Sequence, residues 1–220
     1  MIKAVFFDMD GTVLDTIGTI THYVNVTLKK HGIPEISEDE CKIFVGNGAK
    51  LLIERTLKSR GAYEESFFKK VLDEYNEAYD SAPTYKTGVF DGILPLFSRL
   101  RNEGIKIGII SNKPDFITRP LALRYFGDSV DFVAGAIDGV PLKPSPDSLI
   151  SALKTLSATP DECVYVGDTS VDMITGKSAG AHLTVGVLWG FRKREELEEN
   201  GADVIVNNPL QIYDEVMKLA

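Results

Sequence analysis

An α/β fold, with a Rossmann-like parallel sheet flanked by helices and interrupted by an α-helical insert, is what the sequence predicts, on three observations. An apolar run near the N-terminus ends in two acids and a glycine. From Ile105 onward, short β-rich runs alternate with longer amphipathic ones. Between them, Thr16 to Pro83 shows helical periodicity and no convincing strand. At 220 residues the chain is long for one compact domain and short for two, which fits a core (1–15 and 84–220) carrying an insert (16–83).

The first strand is Val5-Phe6-Phe7-Asp8-Met9-Asp10-Gly11-Thr12. Side chains alternate along an extended chain, so Asp8 and Asp10 project to one side. At ~4 Å two like charges repel by about 4 kcal/mol at an intermediate effective dielectric, so a cation or a proton relay is needed if both acids are buried. The ordinary alternative is a pair of solvated turn formers before a glycine. In the insert, helices are expected over Gly18 to His31, Ser37 to Phe44, Ala49 to Lys58 and Glu64 to Asp80, punctuated by Gly32-Ile33-Pro34, Gly46-Asn47-Gly48 and Gly61. Ser37 and Glu40 have the spacing of a capping box. Strands are expected at Ile105 to Ile110, Val130 to Ala134, Cys163 to Val166, Thr184 to Leu188 and Asp203 to Val206.

Charge and composition narrow the partners. Lys and Arg total 24 against 32 Asp and Glu, a net charge of -8, which disfavours nucleic acid and anionic membranes. No apolar run approaches a membrane span and no signal-peptide pattern precedes the first strand, so a cytoplasmic protein is expected, as monomer or homodimer. Cys41 and Cys163 have neither zinc nor disulfide-framework spacing, and Cys163 reads as a small buried hydrophobe. His22, His31 and His182 show no partner spacing.

Further polar groups fall where the sheet presents its C-terminal edge, the place at which open α/β sheets bind ligands. Ser111 and Asn112 follow Ile107-Gly108-Ile109-Ile110, with a helix starting near Pro114. A hydroxyl and backbone N–H groups at a strand-to-helix junction can cradle a phosphate, or simply cap the helix. Lys143 sits between prolines in Pro141-Leu142-Lys143-Pro144-Ser145-Pro146. Gly167-Asp168-Thr169-Ser170-Val171-Asp172 puts Asp168 at a strand tip and Asp172 one helical turn on, where dipole capping is the alternative role.

Taken in order, Asp8-Met9-Asp10-Gly11-Thr12, Ser111-Asn112-Lys113, Lys143-Pro144-Ser145-Pro146 and Gly167-Asp168-Thr169…Asp172 resemble the four motifs of the haloacid dehalogenase superfamily of aspartate-nucleophile phosphatases. The position of the insert is similar to that of the small α-helical cap in one class of the superfamily. Val45 to Arg55, and Gly186-Val187-Leu188-Trp189-Gly190-Phe191 with Arg194-Glu195-Glu196-Leu197, look like the phosphoglycolate phosphatase group. Ser111 stands where many relatives carry threonine.

The resemblance implies a Mg²⁺-dependent hydrolase of a small phosphate ester. Asp8 would attack phosphorus and form a phosphoaspartyl intermediate; a carboxylate is ordinarily ionised at neutral pH and needs no activating base. Asp10, entering protonated, would serve as acid and then base. Mg²⁺ would be held by Asp8, the Asp10 carbonyl and Asp168, an all-oxygen set. Lys143 would neutralise the phosphoryl group, and Asp172 would hold a metal-bound water or orient Lys143. Ser111 and amides near Asn112, Met9 and Gly11 would bind phosphate oxygens, and Thr12 would bond Asp10. The cap would act as a lid, with Lys50 and Arg55 as candidate contacts for a substrate carboxylate, although a solvated helix face accounts for both equally well. Trp189 and Phe191 are expected to cover the sheet edge rather than line the site. A phosphomutase or pyrophosphatase on the same scaffold is the alternative enzyme. A receiver-like phosphoacceptor domain is the alternative of another class, opposed by the insert and by Asp10.

Overall fold

The structure, a computed structural model, describes residues 1–219. In chain order its elements are β1 (Ala4–Phe7), β2 (Leu14–Asp15), α1 (Ile17–Lys30), α2 (Glu38–Phe44), α3 (Ala49–Ser59), α4 (Glu65–Ser81), β3 (Gly88–Val89), α5 (Ile93–Asn102), β4 (Lys106–Pro114), α6 (Asp115–Phe126), β5 (Phe132–Ala136), α7 (Asp147–Thr155), β6 (Cys163–Gly167), α8 (Ser170–Ala179), β7 (Leu183–Val187), α9 (Arg194–Glu199), β8 (Val204–Val206) and α10 (Leu210–Met217). They divide into two compact units, one of residues 1–14 with 89 onward and one of residues 15–88.

The first unit is built on a six-stranded sheet of order β5-β4-β1-β6-β7-β8, every pairing in it parallel. Parallel strands covered on both faces have no solvated side, and all four residues of β1 are fully buried accordingly. Ala4, Phe6, Ile110, Leu149, Leu153, Cys163 and Tyr165 form one core cluster beneath α7 and α8. From β4 the chain steps outward to β5, and from β6 it steps outward the other way to β7 and β8, so the strand order reverses at β1. Such a switch point leaves a crevice at the C-terminal edge. Phe7 pairs with both Ile109 and Val166, which sets Asp8 level with the ends of the two neighbouring strands.

The strand after α5 differs from expectation. It continues through Ser111-Asn112-Lys113 to Pro114 instead of ending at Ile110, and its register against β5 shifts between Ile110 and Pro114. An irregularity of this kind re-aims side chains at a sheet edge, a local effect that hydrophobic alternation does not encode.

The second unit is a four-helix assembly, α1 to α4. Val24 and Leu28 from α1, Ile53 and Leu57 from α3 and Phe68 and Val71 from α4 are buried there. The capping box before α2 is formed: the Glu40 amide donates to Ser37 Oγ at 3.1 Å, and the Ser37 amide donates to Glu40 Oε2 at 2.9 Å. His31 does have a partner, Glu74 Oε2 at 2.9 Å, supplied by α4, a contact of long sequence separation with no signature in spacing. Both cysteines are free and buried. Among the described residues no helix is long and apolar enough to cross a membrane.

Candidate active site

The crevice at the end of β1 gathers residues from four places in the chain. Asp8 leaves β1 with its amide donating to the Val166 carbonyl of β6 at 2.9 Å. Asp168 follows β6, and Asp172 lies in the first turn of α8. One carboxylate oxygen of each of these three acids lies within 4.8 Å of the others, and all three residues are buried. Lys143 Nζ reaches into the group, 2.8 Å from Asp8 Oδ1 and 2.7 Å from Asp172 Oδ1.

Each acid is held by neighbours that fix its aim. Asp172 Oδ2 accepts from the Thr169 amide (3.1 Å) and hydroxyl (2.7 Å), so it caps α8 while its other oxygen holds Lys143; the two roles weighed from sequence coexist. Asp168 accepts from Thr12 Oγ1 at 2.9 Å and from the Phe191 amide at 2.8 Å. Two glycines make room for it. A Cβ on Gly11, whose φ is +86°, would lie 2.4 Å from Asp168 Oδ2, and one on Gly190 would lie 2.3 Å from Asp168 Cβ. Trp189 Nε1 donates to the Thr12 carbonyl at 3.0 Å, tying the segment after β7 to the turn after β1.

Several sequence expectations are corrected here. Thr12 bonds Asp168 rather than Asp10, because the turn brings its hydroxyl to the end of β6 and its single proton is given there. The Gly11 amide closes that turn, donating to the Leu14 carbonyl at 2.9 Å. The Asn112 side chain clasps the backbone of Lys143 in both directions, donating to its carbonyl at 3.0 Å and accepting from its amide at 2.9 Å. Ser111 is buried, and its Oγ accepts from the Lys113 amide at 3.2 Å. In the other unit, Arg55 donates to the Phe44 carbonyl (2.7 Å) and Asn47 Oδ1 (2.9 Å), bracing the loop before α3 rather than leaving its guanidinium open, whereas Lys50 is exposed. Phe191 and Trp189 were expected to act as edge cover, but both support the acid cluster through polar atoms. The segment around them carries a glycine between two aromatics, and that was the signal available in the sequence.

Lys113 was missed as a functional residue. Its Nζ lies 3.0 Å from Asp10 Oδ2 with the lysine side chain 7 % exposed, while Asp10 Oδ1 is buried without a hydrogen-bond partner. A basic residue in the motif containing Ser111 was visible, but only the continuation of β4 past Ile110 shows its ammonium meeting Asp10.

Three buried acids against the one ammonium of Lys143 leave an excess of negative charge. Burial pushes the Asp8 carboxyl up, Lys143 pulls it down, Asp172 adds repulsion, and the balance stands at about 7. Asp168 is likewise raised well above the ordinary carboxylate range by burial and by the charges of Asp172 and Asp8. Burial alone would lower Lys143, but Asp172 and Asp8 outweigh it and hold its ammonium well above the ordinary value. Asp8 is therefore not simply ionised at neutral pH by its own chemistry; it needs further positive charge. An all-oxygen, carboxylate-rich cluster that is short of positive charge fits a hard divalent cation such as Mg²⁺.

A family model described as haloacid dehalogenase-like hydrolase matches residues 5–186. The chain belongs to the haloacid dehalogenase-like hydrolases. This hydrolase is 27 % identical to a phosphoglycolate phosphatase of Photorhabdus laumondii over 94 % of its own length and 89 % of the relative's. It is 31 % identical to an N-acetylmuramic acid 6-phosphate phosphatase of Pseudomonas aeruginosa, over 97 % and 94 % of the two chains. Among solved structures, one from Lactobacillus delbrueckii subsp. bulgaricus, provisionally assigned as a phosphoglycolate phosphatase, superposes with a TM-score of 0.93 at 30 % identity, covering 97 % of the hydrolase and 98 % of that chain. The fold expected from sequence is thus the fold of the family.

Proposed function

We propose that the protein is a Mg²⁺-dependent phosphatase of small phosphomonoesters, acting through a phosphoaspartyl intermediate on Asp8, with 2-phosphoglycolate as the best single substrate. The observation that carries this reading is the convergence of Asp8, Asp168 and Asp172 at the sheet's switch point, with Lys143 bound to Asp8 and Asp172. The phosphatase names of its relatives support the reaction class.

In the first half-reaction a carboxylate oxygen of Asp8 bonds to phosphorus as the ester P–O bond breaks. Asp10 Oδ1, buried and unpartnered, gives the leaving oxygen its proton. In the second, water attacks phosphorus, Asp10 takes its proton, and the P–O bond to Asp8 breaks to release phosphate. Lys143 compensates negative charge on Asp8 and on the phosphoryl oxygens. Ser111 stands at the neighbouring strand end as a hydroxyl for a phosphoryl oxygen. Asp8 and Asp168, with the Asp10 carbonyl, would hold Mg²⁺, and Asp172 keeps Lys143 in place. When bound, the ion supplies the positive charge that lets an anionic nucleophile approach an anionic phosphate.

Phosphate release with Mg²⁺ across 2-phosphoglycolate, N-acetylmuramic acid 6-phosphate, sugar phosphates, nucleotides and pyrophosphate, ranked by kcat/KM, tests the proposal. Release from small monoesters is expected, with 2-phosphoglycolate highest. Silence on every ester defeats it, and return of the phosphoryl group to a sugar makes the protein a mutase.

A further inference from the structure

We infer that Lys113 selects substrates carrying a second anion, a carboxylate attached directly to the ester carbon. This rests on the phosphatase reading above and deepens it by naming what distinguishes the leaving group.

Two lysines serve this crevice, and they stand at opposite ends of the chemistry. Lys143 is bound to Asp8 and Asp172, the side on which the phosphoryl group is attacked. Lys113 is bound to Asp10, the residue that meets the departing oxygen. The two oxygens of Asp10 are differently occupied: Oδ2 lies 3.0 Å from Lys113 Nζ, and Oδ1 has no partner. With Oδ1 on the ester oxygen, the ammonium lies across one carboxylate from it, on the order of 5–7 Å away by ordinary hydrogen-bond lengths. A carboxylate attached to the ester carbon projects roughly 3 Å beyond the ester oxygen, which brings it within ion-pair reach of that ammonium.

The base of the lysine is fixed. Its amide donates to Ser111 Oγ at 3.2 Å, and its carbonyl accepts from Thr118 Oγ1 at 3.0 Å. Gly135 of β5 packs so closely that a Cβ there would lie 2.6 Å from the same carbonyl. A buried ammonium is costly to desolvate, and a neutral donor would orient Asp10 at lower cost. A cation here has a further use when the leaving group is itself anionic. Two buried ammoniums then face two anions, the phosphoryl group and the carboxylate, in a chain whose net charge is -8.

The test compares 2-phosphoglycolate with ethyl phosphate, which matches it in chain length and lacks the carboxylate. Wild-type kcat/KM is expected to favour the anionic ester by at least about 100-fold, an order of preference that one desolvated charge pair supplies. In Lys113→Met kcat should fall on both esters as Asp10 loses its partner, but the ratio of the two kcat/KM values should also collapse by roughly 10- to 100-fold, through a rise in KM confined to 2-phosphoglycolate. Lys113→Arg, which keeps the charge, should keep the preference. Equal losses on both esters would reduce Lys113 to a support for Asp10 and overturn the inference. So would a wild-type enzyme that hydrolyses both esters equally, a result that needs no variant and leaves the phosphatase reading standing. Inactivity on every ester would overturn both.

Discussion

The two compact units handle polar side chains in opposite ways. Among the described residues of the helical unit, the buried polar groups are all threonines: Thr16, Thr19, Thr21, Thr27 and Thr56. Thr27 returns its hydroxyl to the Tyr23 carbonyl of its own helix and Thr19 pairs with Thr87, while the Thr16 and Thr56 hydroxyls are buried without a partner; a neutral hydroxyl costs far less to bury than a charge. The sheet-bearing unit buries Asp8, Lys113, Lys143, Asp168 and Asp172 within reach of one crevice. Buried charges are maintained only when partners offset their desolvation, and they are poor sources of stability. Charge in one unit is thus a surface matter, and in the other it is held ready for chemistry at a cost in stability.

The largest effect that would break this contrast is at Asp8. Asp8→Asn is expected to lower multiple turnover by roughly 10⁴-fold or more, since the amide cannot form the phosphoenzyme. Its metal-free melting temperature at neutral pH should hold or rise, because one of three mutually repelling acids is gone. Steady-state kinetics and thermal melts in chelator check the two halves. Undiminished turnover, or a large loss of stability, would mean that Asp8 serves the fold rather than the reaction.

Lys143→Met should act in the other direction on stability. With Asp8 and Asp172 left buried without their cation, a loss of about 3–5 kcal/mol is expected, together with loss of activity. Urea unfolding measures it, and Mg²⁺ should restore part of the deficit by binding only the folded state. A variant as stable as wild type in chelator would show that the acids are neutralised by other means.

The pH dependence of the metal-free protein has a definite sign. Asp8 stands at about 7 in the folded state, above the ordinary 3.8, and Asp168 is raised as well. The folded state therefore holds these protons more tightly than the unfolded chain. Stability from this source is present below pH 3.8 and is lost as pH rises from there through about 7. A fall on the order of 1–4 kcal/mol between pH 5 and 8 is expected in chelator, and Mg²⁺ should flatten it. Stability that rises over that interval without metal would contradict the electrostatics of the cluster.

The contrast between the units also explains what could be read from sequence. Hydrophobic alternation and helical periodicity are local, and they located the parallel sheet, the four helices of residues 15–88 and the Ser37–Glu40 capping box. Asp8 and Asp168 were legible as candidate site residues because a charged side chain at the end of an apolar strand has few inexpensive explanations, and Lys143 and Asp172 through the motifs that carry the family resemblance. Their partners were not. Thr12 reaches Asp168 across 156 positions, Phe191 presents a backbone amide that every residue but proline possesses, and Lys113 turns inward only because β4 runs on past Ile110. Arg55 looked like a ligand for an anion because sequence shows its charge and not the carbonyl of Phe44 that engages it.

The smallest effect belongs to the helical unit and sharpens the contrast from its other side. Arg60 donates to Glu40 Oε2 at 2.9 Å, and the Glu40 carboxyl is lowered to about 2 by that bond and by the Ser37 amide. Its contribution to stability is present above the ordinary 4.5 and is lost as pH falls from there through about 2, the reverse of the behaviour of Asp8. Glu40→Gln removes the charge while glutamine can still accept from the Ser37 amide, so the capping box survives and the ion pair alone is tested. The melting temperature should change slightly at low ionic strength and not at all in 1 M salt, where the screening length is about 3 Å. A large shift that persists in high salt would mean that this unit, too, depends on a protected charge, and the division of labour between the two units would fail.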